Sequence, residues 1–534
     1  MSGKESDAMM ELGTLHRERL EYLPRMPPLL RGAFNIRKGD ITSAQHDAQE
    51  IRKVFPKLFG QPSIHIVQNR GDPVTVGEEL KVGVVFAGGP APGGHNVVCG
   101  LFDHLKERNV DSKVFGFLNG TSGLMSGTYI ELFESSLARF RNQGGFHMLG
   151  SDRTKLETEA DFERARKVAK ELDLDGLVFI GGFDTNTNAM YAAENFKMHD
   201  VKTNVVSVPS TIDGDLRNQQ LQTSIGFDTV TKVYAELIAN LGYDAYSAKK
   251  SYHFCRLMGR HASHVALEVA LQTRPNMCLL GEEVRRRRLT LAEITSEIAD
   301  LICERAAVDK NYGVLVVPEG LIEFIPDVND LLKELNELLA KGHNDRSTIV
   351  PELSESARAT FSSLPNSIGT QLLFERDPHG NVQLSRIEVE RLLIETVKKE
   401  LGERKARGVY KGSFSAIPHY FGYEGRCALP TNFDCNYGYA LGHTAGALLE
   451  SSNSGYAVSV SDLTSAPEKW ECGGYPLTMM MSIERRKGAS GAVVNRSLVN
   501  LDGIAFKVFK EQRKNWRLTE DYRTSGPIQH FEQM

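Results

Sequence analysis

The chain has 534 residues, of which 41% are hydrophobic and 25% charged, and its formal net charge is −5 at pH 7. This length is too great for a single hydrophobic core, so we expect two or three domains. The slightly acidic balance gives no reason to expect nucleic acid or an anionic membrane as a partner. No apolar run reaches the ~18 residues that a membrane-spanning helix needs.

Two features indicate a cytoplasmic protein. The N-terminus is charged and lacks the apolar core of a secretory signal. The seven cysteines are irregularly spaced and include no CxxC pair. That pattern argues against a disulfide framework or a zinc site and favours a reducing environment.

The first clear element follows residues 1–80, which carry scattered helical patterns and which we interpret as an N-terminal extension. The run KVGVVFA predicts a strand that leads into Gly88, Gly89, Gly93 and Gly94 and then into a helical pattern. A strand, a glycine loop and a helix together point backbone N–H groups at an anion. The loop matches neither GxGxxG nor the Walker pattern, and a tight turn without a ligand is the alternative interpretation.

Two further strands end in polar loops. DGLVFI leads into the range 181–184, and VVSVP leads into Asp213 and Asp215, which flank Gly214. Ligands of open α/β sheets bind outside the carboxyl ends of the strands. The two acids are therefore catalytic candidates, with an Asx turn or a helix cap as the alternative.

The same scheme continues along the chain in SYHFCRLMGR, MCLLGEEV and NYGVLVVPEG. Six apolar strands that alternate with helical segments predict a mostly parallel sheet covered by helices. Thr290 and Glu293 predict a capping box that opens one of these helices. The preceding arginines, 285–288, are interpreted as a solvated loop or a subunit contact.

Several motifs resemble the phosphofructokinase superfamily when they are taken together. They are GGPAPGGHN, GG-x-D-x-NTNA, TIDGD, MGR, PEGL and FGYEGR, followed by FERDPHGN, LPTNFDC and GPIQ. The similarity runs from about Val82 to the C-terminus and is closest to the long, pyrophosphate-dependent branch. The resemblance implies phosphoryl transfer from pyrophosphate to the 1-hydroxyl of fructose 6-phosphate, reversibly and in glycolysis, with Mg²⁺ as cofactor.

The resemblance also implies the architecture. We expect an α/β protein of two lobes, with mostly parallel sheets covered by helices, an active-site cleft between the lobes and a helical insertion. The first lobe is expected over residues 81–250 and the second from 251–320. The helical insertion is expected over 321–408. Residues 409–534 are expected to complete the second lobe and to form a C-terminal tail.

The resemblance assigns roles to individual positions. Asp213 matches the family's base, Asp215 its acidic neighbour, and Asp184 a catalytic and metal-binding acid. The positions expected to bind the donor phosphate are Gly88, Gly89, Gly93, Gly94 and Ser210. The positions expected to bind the sugar phosphate are Thr211, Ile212, Asp213, Lys250, Ser251, Met258, Gly259, Arg260, Glu319, Tyr423, Glu424, Gly425 and Arg426. Lys250 and Ser251 are expected to act on a neighbouring subunit's site, which implies a homodimer or a hetero-oligomer with a paralogous subunit.

Two positions depart from the family pattern on the donor side. Phe183 stands where the family has an aspartate, and a phenyl ring cannot bind Mg²⁺. Ser210 stands where the family has a lysine that contacts pyrophosphate. These changes raise the alternative of a non-catalytic or regulatory subunit and predict low activity of the lone chain. The retained Asp184 favours pyrophosphate over ATP, since ATP-using relatives carry glycine there, and an ATP-dependent enzyme is the lesser alternative.

Overall fold

The structure, a computed structural model, describes residues 13–69, 77–343, 345–376, 382, 386–486, 489–524 and 526. Most of the FERDPHGN and GPIQ motifs and the first twelve residues lie outside these ranges. The chain forms two compact units. Unit 1 comprises residues 1–230, 424–497 and 528–534, and unit 2 comprises 231–423 and 498–527.

The described strands are β1 (Phe34–Ile41), β2 (Pro62–Gln68), β3 (Lys81–Ala87), β4 (Lys113–Phe117), β5 (Tyr129–Glu131), β6 (Gly176–Gly181), β7 (Asn204–Pro209), β8 (Ser251–Leu257), β9 (Met277–Cys278), β10 (Tyr312–Pro318), β11 (Ala416–Phe421), β12 (Tyr456–Ser461), β13 (Glu471–Pro476), β14 (Met481–Arg486) and β15 (Ala489–Val494).

The described α-helices are α1 (Thr14–Glu21), α2 (Ala48–Val54), α3 (Gly94–Arg108), α4 (Thr121–Ser126), α5 (Glu134–Leu137), α6 (Glu159–Glu171), α7 (Phe183–Met198), α8 (Phe227–Ala248), α9 (His264–Thr273), α10 (Gly281–Arg287), α11 (Leu291–Ala306), α12 (Pro326–Ala340), α13 (Arg346–Ile349), α14 (Glu355–Ser363), α15 (Asn366–Phe374), α16 (Val389–Ala406), α17 (Tyr423–Arg426), α18 (Asn432–Glu450) and α19 (Ile504–Trp516). Within the described residues, none of these helices combines the length and the apolar character that crossing a membrane requires.

Unit 1 is built on a nine-stranded sheet in the order β1-β2-β13-β12-β7-β6-β3-β4-β5. The central strands from β12 to β4 pair in parallel, and antiparallel strands extend the sheet on both sides. Alternate residues of β3 enter two apolar cores, with Val84 and Phe86 in one and Val85 and Ala87 in the other. Residues of α3 and α18 complete the first core, and residues of α6 and α7 complete the second. The prediction of a mostly parallel sheet covered by helices is confirmed.

Unit 2 contains a parallel sheet in the order β11-β8-β10-β9 and one large apolar core. The predicted capping box opens α11, where the Thr290 side chain accepts a hydrogen bond from the Glu293 N–H at 3.3 Å. Apolar residues of α12 to α16 belong to the same core as those of α11. The segment predicted as a helical insertion therefore shares the core of unit 2.

The division into units differs from the predicted lobes at two segments. Residues 231–250, predicted in the first lobe, belong to unit 2. Residues 424–497 belong to unit 1, because β12 pairs with β7 and α18 packs on α3. The predicted N-terminal extension also contributes, since β1 and β2 join the same sheet.

The four consecutive arginines do not form the predicted loop. Arg285, Arg286 and Arg287 lie in the last turn of α10. Arg285 lies over the ring of Phe324, with its Cζ atom 4.3 Å from the centroid. Arg286 and Arg287 pair with acidic side chains, at Asp502 and Glu297 respectively. These contacts give the cluster a local structural role.

Two glycines allow α3 and α18 to approach closely. A Cβ atom on Gly100 would lie 2.2 Å from the Tyr439 carbonyl oxygen. A Cβ atom on Gly442 would lie 2.2 Å from the Val97 carbonyl oxygen. Because the obstructing atoms are backbone, a side chain at either position would push the helices apart.

We expect Gly442→Ala to destabilise the protein by about 1–3 kcal/mol through overpacking. Gly402→Ala is the matched control, because Gly402 also lies in a helix but has no atom within 4 Å of the added methyl. That control is expected to be stabilising by about 0.5–1 kcal/mol through helix propensity. Urea denaturation followed by circular dichroism measures both, and equal effects of the two variants would contradict the close-approach argument.

Candidate active site

Three loops of unit 1 emerge side by side. The register of the parallel strands aligns Ala87 of β3, Gly181 of β6 and Pro209 of β7. The Thr185 hydroxyl donates to the Ala87 carbonyl at 3.0 Å, and the Ser210 N–H donates to the Gly181 carbonyl at 2.8 Å. The segments at 88–94, 182–188 and 210–215, which include the first residue of α3 and the first turns of α7 and are here called the three loops, therefore lie side by side.

The four loop glycines fall into two pairs. Gly88 and Gly89 are half-buried and accessible, and Gly88 has a φ of 85°. Gly93 and Gly94 are buried, where added Cβ atoms would lie 2.9 Å from Ile225 and 2.5 Å from Phe146. Packing thus explains the second pair without a ligand, while phosphate binding by all four stays a prediction.

The two candidate acids lie in different environments. Asp213 is half-buried, and its N–H donates to the Thr211 hydroxyl oxygen at 3.2 Å. Asp215 is only 4% exposed, and Ile212 beside Asp213 is buried. Burial and the negative charge of Asp213 raise the pKa of Asp215 to about 7, although Arg496 opposes the shift. Asp213 is therefore the acid that a ligand can reach.

The first turn of α7 contains Phe183, the position at which the resemblance implies an aspartate. Phe183 is 7% exposed and packs in an apolar core. The next residue, Asp184, is half-exposed and pairs with Lys155, with 3.3 Å between its Oδ1 and the Lys155 Nζ. The part of the chain that the structure describes holds no cluster of three or more His, Cys, Asp or Glu side chains that could bind a metal ion. Mg²⁺ often binds through one or two carboxylates plus substrate phosphates, so Asp184 alone fits that mode of binding.

Ser210 offers no accessible group to a ligand. Its side chain is fully buried, and its N–H is bonded to Gly181. Its hydroxyl has no hydrogen-bond partner among the described residues. The predicted contact of Ser210 with donor phosphate thus finds no exposed atom here.

Arg426 lies against the glycine loop of unit 1. A Cβ atom on Gly89 would be 3.2 Å from the Arg426 Nη1. Its neighbours Glu424 and Gly425, which also belong to unit 1, are exposed and buried respectively. The structure therefore groups Arg426 with the predicted donor loop, although the sequence assigned it to the sugar phosphate.

Unit 2 brings several predicted sugar-phosphate residues to one edge of its sheet. Met258 and Glu319 directly follow β8 and β10, whose register aligns Leu257 with Pro318. The Glu319 N–H donates to the Leu257 carbonyl at 2.9 Å. The same edge includes Gly259 and Arg260, which follow Met258, and the exposed Tyr423, which follows β11. Arg260 is held close to the β10 loop, since a Cβ atom on Gly320 would overlap its carbonyl oxygen at 1.8 Å.

A chain of contacts positions Glu319. The Tyr420 hydroxyl donates to the Glu319 Oε2 at 3.1 Å. The Arg256 guanidinium lies over the Tyr420 ring at 3.9 Å and pairs with Glu390 at 2.9 Å. Burial and the charge of Glu319 raise the pKa of Tyr420 above its usual value. This support for Glu319 was not predicted from the sequence, although an arginine inside the apolar run SYHFCR was a signal for it.

Lys250 and Ser251 lie at the opposite edge of that sheet. Ser251 is the first residue of β8, and Met258 follows its last residue. A strand of seven residues spans about 23 Å at 3.3 Å per residue. Lys250 therefore cannot contact the Met258 edge of its own chain.

Comparisons with known proteins agree on one family. The family described as Phosphofructokinase matches residues 81–364. Pyrophosphate–fructose 6-phosphate 1-phosphotransferase subunit beta 1 of Arabidopsis thaliana is 49% identical over 94% of this chain and 89% of its own length. The enzyme of that name from Treponema pallidum is 47% identical over 98% of this chain and 95% of its own. Subunit alpha 2 of Arabidopsis thaliana is 41% identical over 97% and 86%.

The fold is also similar to a solved structure. The pyrophosphate-dependent phosphofructokinase from Nitrosospira multiformis matches with a TM-score of 0.55 and 16% identity. The match covers 85% of this chain and 96% of that one. At this identity the likeness concerns the fold alone.

We expect the contribution of Asp215 to the free energy of unfolding to fall as the pH rises from about 4 to about 7. The folded state holds a proton there with a pKa of about 7, whereas the unfolded carboxyl titrates near ~3.9. The folded state therefore binds more protons in this window, and the linkage amounts to at most about 4 kcal/mol.

Urea midpoints at pH 5 and pH 8 measure this dependence. Asp215→Asn is expected to weaken it, whereas Asp111→Asn, an exposed aspartate of unit 1, retains it. An Asp215→Asn variant with the pH dependence of the wild type would show that this carboxyl is not protonated in the folded state.

Proposed function

The chain belongs to the phosphofructokinase family, and on this basis we propose that it transfers a phosphoryl group from pyrophosphate to the 1-hydroxyl of D-fructose 6-phosphate. The products are fructose 1,6-bisphosphate and phosphate. The observation that carries the proposal is the similarity, at 47–49% identity over nearly the whole chain, to enzymes named for this reaction. The retained pair Asp213 and Asp215 supplies the matching chemistry.

Asp213 is the general base of this proposal. The sugar hydroxyl oxygen forms a bond to the terminal phosphorus of pyrophosphate, the bridging P–O bond breaks, and phosphate leaves. The proton of the hydroxyl passes to Asp213, which is accessible while Asp215 is buried. Such a base contributes typically ~10²–10⁴-fold to the rate.

The donor phosphates are expected to lie on the three loops. Helix α7 begins there behind Gly182, which provides no side-chain cap, and helix N-termini favour anions. The Arg426 guanidinium beside Gly89 adds a positive charge to the same loops. We propose that Mg²⁺ is held by Asp184 together with the donor phosphates, whose negative charge it would neutralise.

Pyrophosphate is the proposed donor. The three relatives described above are named for the pyrophosphate reaction, and this chain keeps Asp184. The alternatives of a regulatory subunit and of an ATP-dependent enzyme gain no support from these relatives.

We also propose an oligomeric, cytoplasmic enzyme. Lys250 and Ser251 lie at the sheet edge opposite Met258, which supports their expected action on a neighbouring subunit. The partner is a second copy or a paralogous chain, and the plant relatives are named as alpha and beta subunits. All seven cysteines are free, which fits a reducing compartment.

The purified chain is expected to form fructose 1,6-bisphosphate with Mg²⁺ and pyrophosphate, but not with ATP. Asp213→Asn is expected to lower kcat by roughly 10²–10⁴-fold, with little change in KM. Asp111→Asn, an exposed aspartate of unit 1, serves as the control. A silent wild type together with an active Phe183→Asp, Ser210→Lys double variant would instead establish the regulatory-subunit alternative.

Tyr420→Phe is expected to raise KM for fructose 6-phosphate by roughly 10-fold, because Glu319 loses a hydrogen bond to its carboxylate. KM for pyrophosphate is expected to stay within twofold, since the hydrogen bond of Tyr420 goes to Glu319, a predicted sugar-phosphate residue. Tyr129→Phe, a partly exposed tyrosine of unit 1, is the matched control. Equal increases in both KM values would refute a positioning role for Tyr420.

A further inference from the structure

Arg496, which the sequence analysis did not single out, lies beside the three loops of unit 1. It follows β15 by two residues. Its Cζ atom is 4.1 Å from the centroid of the Phe183 ring. Its Nε is 3.8 Å from the Asp215 Oδ2. One cationic side chain thus contacts both the loop after β6 and the loop after β7.

The backbone on either side of Arg496 is fixed to these loops. The Ser497 N–H donates to the Asp215 carbonyl at 2.7 Å. The Val494 N–H donates to the Thr187 hydroxyl oxygen at 3.1 Å. These two hydrogen bonds therefore hold the backbone on both sides of Arg496 against the loops that its side chain contacts.

The guanidinium still has N–H groups to offer. Its separation of 3.8 Å from Asp215 is too long for a hydrogen bond. Among the described residues its Nε is buried and has no hydrogen-bond partner, whereas the side chain as a whole is 27% exposed. An arginine carries five donors in a planar fork that matches phosphate oxygens, so this partly exposed side chain can still donate to an anion.

A purely structural role explains these contacts less well. An arginine that served only to neutralise Asp215 would be expected to make a direct, hydrogen-bonded pair with it. Instead the guanidinium stacks on Phe183, the first residue of α7. That stacking holds the charge at a helix N-terminus, where anions bind.

We propose that Arg496 binds the phosphate groups of the donor and supplies the positive charge that Ser210 lacks, with the Phe183 ring as its support. This inference rests on the proposed function and deepens it at the donor site. The two departures from the family pattern then belong to one rearranged site, because Phe183 carries the cation that replaces the missing lysine.

The first test compares Arg496→Gln with the wild type. KM for pyrophosphate and the Kd of imidodiphosphate, a non-transferable pyrophosphate analogue measured by calorimetry, are expected to rise roughly 10- to 100-fold. KM for fructose 6-phosphate is expected to stay within twofold. Arg164→Gln is the matched control, since Arg164 is an exposed arginine of the same unit that pairs with Asp161. It is expected to leave all three constants unchanged.

Two further variants separate charge from packing. Arg496→Lys keeps the charge over Phe183 and is expected to retain imidodiphosphate binding within about tenfold of the wild type. Phe183→Asp places a carboxylate beside Arg496, where it competes with phosphate for the guanidinium. As a single substitution it is expected to weaken imidodiphosphate binding. In a chain that already carries Arg496→Gln, it is expected to have no further effect on that binding. If Arg496→Gln does not fold, weakened imidodiphosphate binding by the single variant Phe183→Asp, together with retained binding by Arg496→Lys, still tests the proposal.

Several outcomes would overturn the inference. One is unchanged imidodiphosphate binding by Arg496→Gln. Another is a loss of thermal stability with equal increases in both KM values, which would assign Arg496 a structural role. A wild type that binds imidodiphosphate through Arg496 without turning over pyrophosphate would overturn the proposed function alone. A wild type that binds no imidodiphosphate would overturn both.

Discussion

The common end point of three parallel strands is the constraint on which the site in unit 1 depends. Ala87, Gly181 and Pro209 share one register level, so each following loop begins at the same edge of the sheet. Parallel strands buried on both faces cannot shift register without disrupting the close packing of their side chains in both cores. The loops therefore meet because the core fixes the strands, and Asp213 is placed by the packing of residues that never touch a ligand.

The six apolar strands and the capped helix were predictable from the sequence, because full burial and capping leave strong local signals. The edge strands were not. β1 is mostly exposed, so its residues alternate weakly and resemble a loop. The assignment of residues 424–497 to unit 1 was equally hidden, since the pairing of β12 with β7 joins segments that are far apart in the chain.

The candidate site was also predictable from the sequence only in part. The sequence identified the acids and glycines that follow buried strands, where a motif is continuous. Arg496 was not predicted, because it follows the β14–β15 hairpin and lies far along the chain from Phe183 and Asp215, which its side chain contacts. Phe183 and Ser210 were also counted as two separate losses. Arg496 lies over the Phe183 ring, and the proposed role of this pair links the two substitutions. No single position in the sequence reveals such a contact.

Unit 1 is built from segments that the residues of unit 2 separate along the chain, and this has a consequence for biosynthesis. Strand β7 ends at Pro209, but its neighbour β12 begins only at Tyr456, roughly 250 residues later. At typical ribosomal speeds of ~5–20 residues per second, β7 waits about 12–50 s with an unpaired edge. An unpaired apolar strand edge is a template for association with other chains. The nascent protein therefore passes through a period in which this edge of the sheet is open to association with other chains, until β12 has been synthesised and pairs with β7.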